Sequence, residues 1–338
     1  MTISRRHALA LAGAIAAASA TFAVPALAQS EPLRMGVLRL ASHAPTYIAV
    51  ERGMFEEAGF DVELVYFDAA QSMAVAIAAG DVDYGMTAIS GGLINLAEKG
   101  AIKVFGGALS ERQGIPGQVI LVSDAAFQDG VQTPADLDGR RFAMTTAGSS
   151  FHYMGSRIAE AEGVEMEFVP LQTVGAVIGA LRTGQVDAWW IVPNIAGGLV
   201  ASGEVHEIGV VADYLPGYQV TTIFGSTEDV ADRARTERFL GVMREAIALY
   251  NDTMIDREGG DGAVTEMAEL VGGYVYPDRT AEEAAAAIEA GAMYINEDAA
   301  LDLGSVRDQL EWFQSEGLID GAIAVEDFVD TSYVETTG

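Results

Sequence analysis

Gly59-Phe60-Asp61-Val62-Glu63-Leu64-Val65 opens a stretch that runs on to Gly80-Asp81-Val82-Asp83. Gly163-Val164-Glu165-Met166-Glu167-Phe168-Val169 opens another that runs on to Gly184-Gln185-Val186-Asp187. A slide of 104 residues pairs Gly59 with Gly163, Glu63 with Glu167, Val65 with Val169, Ala76 with Ala180, Gly80 with Gly184, Val82 with Val186 and Asp83 with Asp187. These are seven identities in 25 ungapped positions, where composition alone gives about two. Two copies are too few for a solenoid, so the duplication points to two similar lobes.

The grammar around the first copy is that of an α/β lobe. Leu33-Arg34-Met35-Gly36-Val37-Leu38 is an apolar run of strand length. His43-Ala44-Pro45 then opens a helical pattern through Tyr47, Ile48, Val50 and Met54-Phe55, closed by Gly59. Proline in a first turn and glycine past an end follow the asymmetry of helix termini. Phe60 to Phe67 alternates as a strand, Gln71 to Ala79 reads as a helix stopped by Gly80, and Val82 to Met86 as a third strand. Strands alternating with short helices predict a parallel sheet of βαβ units. Gln118-Val119-Ile120-Leu121-Val122 is expected to lead out of the first lobe, and Val220-Thr221-Thr222-Ile223-Phe224 to lead back. The expected division is 29–118 for lobe 1, 119–223 for lobe 2, and 224–338 for the return to lobe 1. In that last part, helices at Arg235–Asn251, Ala263–Leu270, Ala281–Tyr294 and Ser305–Glu316 pack on the first lobe.

Composition narrows the function. The 338 residues carry 19 basic against 49 acidic groups, a charge of −30, and a polyphosphate or anionic membrane partner would be repelled; no nucleic acid is expected. There is no cysteine, which removes disulfides, thiolate metal sites and a cysteine nucleophile. Arg5-Arg6, the apolar run Ala8 to Val24 and Ala26-Leu27-Ala28 before Gln29 form an export signal, residues 1–28, cleaved after Ala28. Ser4-Arg5-Arg6-His7-Ala8-Leu9 also resembles a twin-arginine signal, with Ala8 where an aromatic is usual. Losing that segment leaves 17 basic against 49 acidic groups, a charge of −32.

Ligands of parallel sheets bind beyond the carboxyl ends of the strands, so two facing lobes share one cleft. Four loops lie there: Arg39 to His43, Thr87 to Gly91, Thr145 to Ser150, and Val192-Pro193-Asn194. Each leads into a helix, and their small hydroxyl residues and glycines let backbone N–H groups approach a partial negative charge. N-capping alone explains any one such serine; the four loops together favour a ligand role. The expected ligand-binding residues are Ser42, His43, Gln71, Ser90, Gly91, Ser149, Ser150, Phe151, Trp190 and Asn194. Trp189-Trp190 end a strand, so alternation predicts one in the core and the other, Trp190 with Phe151, as an aromatic wall of the cleft. His152 is a weaker candidate, His206 reads as surface, and Arg39, Arg112 and Arg157 are candidates for an anionic group. The glycine pairs match no nucleotide fingerprint and no H-E-x-x-H is present, so no cofactor, no metal and no catalytic residue is expected.

Ser42-His43-Ala44-Pro45, Glu51-Arg52-Gly53-Met54-Phe55, Gly59 to Leu64, Ala79-Gly80-Asp81-Val82-Asp83-Tyr84-Gly85 and Thr133 to Arg141 together resemble the nitrate/sulfonate/taurine-type periplasmic solute-binding proteins, over roughly Leu33 to Asn251. The resemblance implies a type II periplasmic binding protein fold and capture of a small-molecule solute for an ABC permease in the inner membrane, by a monomer. Family ligands sit against positions that match Ser42-His43, Gln71, Ser90-Gly91, Ser149-Ser150 and Asn194. Many relatives carry an acidic or aromatic residue where Val192 stands. Family substrates include nitrate, sulfonates, aromatic carboxylates and pyrimidines. The alternatives are an enzyme on the same scaffold, similar to the thiamine-pyrimidine synthases, and a periplasmic solute sensor. The first uses a cysteine-rich motif, which this chain cannot contain.

Overall fold

The computed structural model describes residues 30–338; the expected export signal lies outside the described residues. The strands are β1 (Glu31–Val37), β2 (Phe60–Tyr66), β3 (Tyr84–Ala88), β4 (Ile102–Gly107), β5 (Val119–Ser123), β6 (Arg141–Met144), β7 (Glu167–Pro170), β8 (Ala188–Ile191), β9 (Val205–Val210), β10 (Thr221–Ser226), β11 (Leu301–Asp302) and β12 (Thr336–Thr337). The helices are α1 (Ala44–Glu51), α2 (Met54–Glu57), α3 (Ala70–Ala78), α4 (Gly91–Glu98), α5 (Asp124–Gln128), α6 (Ser150–Glu162) and α7 (Val174–Arg182). They continue with α8 (Pro193–Ala201), α9 (Thr227–Ala231), α10 (Arg233–Tyr250), α11 (Gly260–Val275), α12 (Ala281–Ala290), α13 (Leu303–Ser315) and α14 (Val325–Phe328).

Two five-stranded sheets carry the lobes, in the orders β2-β1-β3-β10-β4 and β7-β6-β8-β5-β9. The orders are the same once each strand is ranked within its lobe. The second, first and third strands run parallel, and a strand arriving from the other lobe lies between the third and the fourth. Helix α7 spans the residues of α3 displaced by 104, and β8 begins 104 residues after β3. The sheets are mixed where the periodicity predicts parallel ones. Strand β10 pairs antiparallel with β3 and β4, and β5 with β8 and β9, because each enters from across the cleft against the direction of its hosts.

The duplicated aspartates have a matching task. Asp83 Oδ2 accepts the Arg34 backbone N–H (2.8 Å) and Oδ1 accepts Arg34 Nη2 (2.6 Å), while the same guanidinium donates to the Asp81 and Gly80 carbonyls. In lobe 2, Asp187 Oδ2 accepts the Arg141 backbone N–H (2.8 Å) and Oδ1 accepts Arg141 Nη2 (2.7 Å), with further bonds to the Gln185 and Gly184 carbonyls. Each clasp holds the first strand of a lobe beside its third, where β-pairing is short. Burial alone would raise both carboxyl pKa values, but the arginine hydrogen bonds and charges hold them below the usual range.

Helix α10 packs on α1, and the α11–α12 hairpin joins it on lobe 1. Helix α12 ends at Ala290, short of the expected Tyr294, where Gly291 lets the backbone approach Asn194 of lobe 2. On lobe 2 Trp312 of α13 stacks edge-on against Tyr153, at 5.3 Å between centroids. The C-terminal helices therefore flank the cleft on two sides and touch both lobes.

Asp83→Ala or Asp187→Ala strands a backbone N–H and part of a guanidinium. Each substitution is expected to cost about 2 kcal/mol in urea unfolding, toward the low end for charge-assisted bonds because both arginines are partly exposed. The wild-type contribution is present above about pH 4 and lost as pH falls through the lowered folded-state pKa.

Candidate functional site

The two lobes enclose a cavity of about 80 Å³ at the strand ends. Ser42, His43, Gln71, Thr87 and Ser90 line it from lobe 1; Thr145, Thr146, Ser149, Ser150 and Phe151 line it from lobe 2; Gln118, Val220 and Thr221 come from the crossovers. Leu38, Leu40, Val174, Ile191 and Val192 supply apolar walls. No Lys, Arg, Asp or Glu is among its lining residues.

Local polarity comes from helix ends instead. The first turns of α3, α6 and α7 and Ser90, the residue that caps α4, contribute lining residues, so four positive dipole ends converge. Two of these ends are closed by side chains: Ser90 Oγ accepts from Leu93 N–H and Thr173 Oγ1 from Ala176 N–H. The other two, one on each lobe, have no side-chain cap. Ala69 precedes α3 and has nothing to cap with, while Ser149 precedes α6 but its Oγ is buried without a partner among the described residues. His43 is 1% exposed, and burial lowers its pKa to about 3, so its imidazole is neutral; Nδ1 has no partner among the described residues.

Both crossovers pass beside this cavity and are laced together. Ala108 N–H donates to Thr221 O (3.0 Å), Glu111 N–H to Tyr218 O (2.9 Å), and Val211 N–H to Gln118 O (2.9 Å). Gln219 ties them to the C-terminal segment, accepting at Oε1 from Asn296 Nδ2 (3.0 Å) and Asp302 N–H (3.2 Å). Glu111 is wholly buried here, its carboxyl against Gly117 and Gln118.

Residues 41–252, well over half of the chain, match the family described as NMT1/THI5 like. The chain belongs to that family. A comparison with curated proteins returned no match. Among solved structures, the chain is similar to the alkanesulfonate-binding protein SsuA of Xanthomonas axonopodis pv. citri bound to MOPS, with TM-score 0.69 and 19% identity over 89% of this chain and 98% of that one. It is similar to the periplasmic aliphatic sulphonate binding protein SsuA of Escherichia coli (TM-score 0.65, 21% identity, 88% and 97% covered). It is also similar to the periplasmic nitrate-binding protein NrtA of Synechocystis PCC 6803 (TM-score 0.62, 14% identity, 80% and 74% covered). The fold is that of the periplasmic binding proteins.

Within this member of the family, seven of the ten expected ligand residues come together at the cavity: Ser42, His43, Gln71, Ser90, Ser149, Ser150 and Phe151. Gly91 spends its N–H on the Gly148 carbonyl of lobe 2 (2.8 Å) and so joins the lobes instead of lining the cavity. Asn194 is turned out of the cleft. Its Nδ2 donates to Tyr276 Oη (2.8 Å), whose hydroxyl donates to the Asn194 carbonyl (3.0 Å), because α8 docks on α12 at Gly291. Trp190 is a correction to the aromatic-wall expectation. Strand alternation does separate the two tryptophans, but both are fully buried, Trp190 against Phe142 (4.0 Å) and Trp189 behind Phe151 (5.4 Å). The candidate arginines lie elsewhere: Arg39 over Tyr66, Arg112 over Tyr294, and Arg157 bonded to Glu160 and Asp308. His152 Nδ1 accepts from Gly148 N–H (3.2 Å), shaping the loop before α6, and His206 pairs with Asp124 at 2.8 Å.

Sequence reasoning missed Gln118 and Glu111 as parts of the site. Gln118 was visible only as the start of a crossover, and nothing local marks Glu111. Burial pushes the Glu111 carboxyl up to about 7 against the pull of two hydrogen bonds from Gln118; Tyr218 and Gly117 lie beside it. The neutral acid is therefore the form the fold prefers. Its contribution to stability is full below about pH 4.5 and is lost as pH rises through about 7. Glu111→Gln is expected to stabilise the chain at pH 8 by up to about 3 kcal/mol in urea unfolding, with the difference closing toward pH 4.5.

Proposed function

We propose that this chain is the solute-capturing component of an ABC importer, working in the periplasm after removal of residues 1–28. The lobes close about the two crossovers on one small polar organic molecule, and the closed monomer docks on an inner-membrane permease. The observation that carries this reading is the pair of uncapped helix N-termini, one from each lobe, meeting with the unpartnered Ser149 Oγ in a cavity between them. A ligand with an acceptor-rich head satisfies both lobes at once, and that shared satisfaction is what favours closure. A sulfonate, a carboxylate on an aromatic ring or a pyrimidine-like ring fits such donors, and the leucine, valine and phenylalanine walls suit its body.

Binding is favoured over turnover by the same lining. His43 is neutral and has no carboxylate to orient it, and no lysine or carboxylate reaches the cavity to serve as nucleophile or base. The structural relatives described above carry binding names, which agrees with this reading.

The test is a thermal-shift screen of chain 29–338, unfolded and refolded to strip carried-over solute. The panel holds nitrate, taurine, alkyl and aromatic sulfonates, aromatic carboxylates and pyrimidines. A true ligand at 100 times its Kd adds about 2.7 kcal/mol, several degrees for a chain of this size. That shift is expected to vanish in Ser149→Trp, which fills the cavity. Silence across the panel from refolded protein, or a shift that survives the substitution, would contradict the reading.

A further inference from the structure

The orientation of one buried amide narrows what the cavity accepts, and this rests on the capture reading above. Gln118 is 3% exposed and lines the cavity from the first crossover. Behind it, Glu111 Oε1 accepts both the Gln118 backbone N–H (3.1 Å) and Gln118 Nε2 (3.2 Å), and the same Nε2 lies 3.1 Å from Met154 Sδ. Both amide hydrogens are thus turned away from the cavity. Flipping the amide would set its carbonyl oxygen against a carboxyl oxygen and a sulfur, three acceptors with no hydrogen between them. A proton taken up by Glu111 does not change this, because it goes to Oε2, which has no partner among the described residues. Oε1 then stays an acceptor for the Gln118 backbone N–H.

We propose that Glu111 is a positioning residue that fixes the Gln118 carboxamide with its carbonyl oxygen toward the cavity, so that the solute must bring an N–H or O–H donor to that point. The cavity then reads two ends of its ligand. Helix N-termini and Ser149 take an acceptor-rich head, and Gln118 Oε1 takes a donor elsewhere on the same molecule. Acceptor-only anions such as nitrate or a simple alkanesulfonate leave this buried carbonyl unpaired and bind weakly. Amino- or hydroxyl-bearing aromatic acids, aminosulfonates and aminopyrimidines complete it.

The experiment has two arms. In the first, affinities are measured by calorimetry for matched probes: benzenesulfonate against its 2-, 3- and 4-amino derivatives, benzoate against the hydroxybenzoates, and pyrimidine against the aminopyrimidines. The best donor-bearing member of a set is expected to bind at least tenfold more tightly than its parent, the factor for leaving a buried acceptor unpaired. Glu111→Met is expected to reduce that preference to within about threefold, and the conservative Glu111→Gln to retain it. In the second arm, needing no ligand, NMR on the wild-type chain is expected to show contacts between the Gln118 side-chain amide protons and the Met154 methyl, kept in Glu111→Gln and lost in Glu111→Met. Parents binding as tightly as donor-bearing partners, or no amide–methyl contact in the wild type, would overturn the proposal. If no probe binds while the contact is present, the orientation stands and it is the capture reading that fails.

Discussion

Each sheet is completed by a strand borrowed from across the cleft, and the rest of the structure depends on that exchange. Strands β3 and β4 do not pair with one another; β10, arriving from lobe 2, fills the space between them, as β5 does between β8 and β9. Without the incoming strand each lobe would present open edges in the middle of its sheet. Neither lobe can therefore be completed until the other has sent its strand across. The two strands must also leave and return side by side, which makes the laced crossovers one wall of the cavity and, in the proposed function, the hinge. A hinge so placed lets rotation of one lobe open the site while both sheets stay intact.

The cavity reconciles a strongly acidic chain with the acceptor-rich ligand proposed for it. A net charge of −30 is a property of the surface, damped by salt within about 8–10 Å. Inside, where no charged side chain lines the wall, the nearest fields are those of the helix ends. These are backbone dipoles, so they need no counter-ion and no protonation step. His43, held neutral by burial, adds hydrogen bonding without charge. Affinity built this way is insensitive to the titration of the site itself, and the pH-sensitive group, Glu111, sits one layer behind it.

Much of the fold was legible because the duplication repeats local rules. Gly80 and Gly184 stop equivalent helices, and Asp83 and Asp187 stand where each clasp needs a carboxylate. Their partners Arg34 and Arg141 lie outside the aligned stretches and are 107 residues apart, so the clasps stayed hidden. The antiparallel course of β5 and β10 is a property of the chain's route, not of its periodicity. Loops that precede helices led to Ser42, Ser90, Ser149 and Ser150, and all four line the cavity, because helix starts are written locally. Asn194 also precedes a helix interior, but which way that helix end faces was decided by Gly291, nearly a hundred residues on. Trp190 followed strand alternation and still missed, since both faces of the lobe 2 sheet are covered. Gln118 and Glu111 meet through a crossover that local pattern does not describe.

The central claim is that the lobes close about the crossovers on a solute between them. The chain has no cysteine, so spin labels at Val75→Cys on α3 and Val200→Cys on α8, both exposed, report the separation of the lobes without background. Pulsed dipolar spectroscopy of that pair, with and without a solute shown to bind, is the direct measurement. The account predicts a broad or longer distance distribution in the free chain that collapses to a single shorter one on binding. An unchanged distribution with solute bound would contradict it.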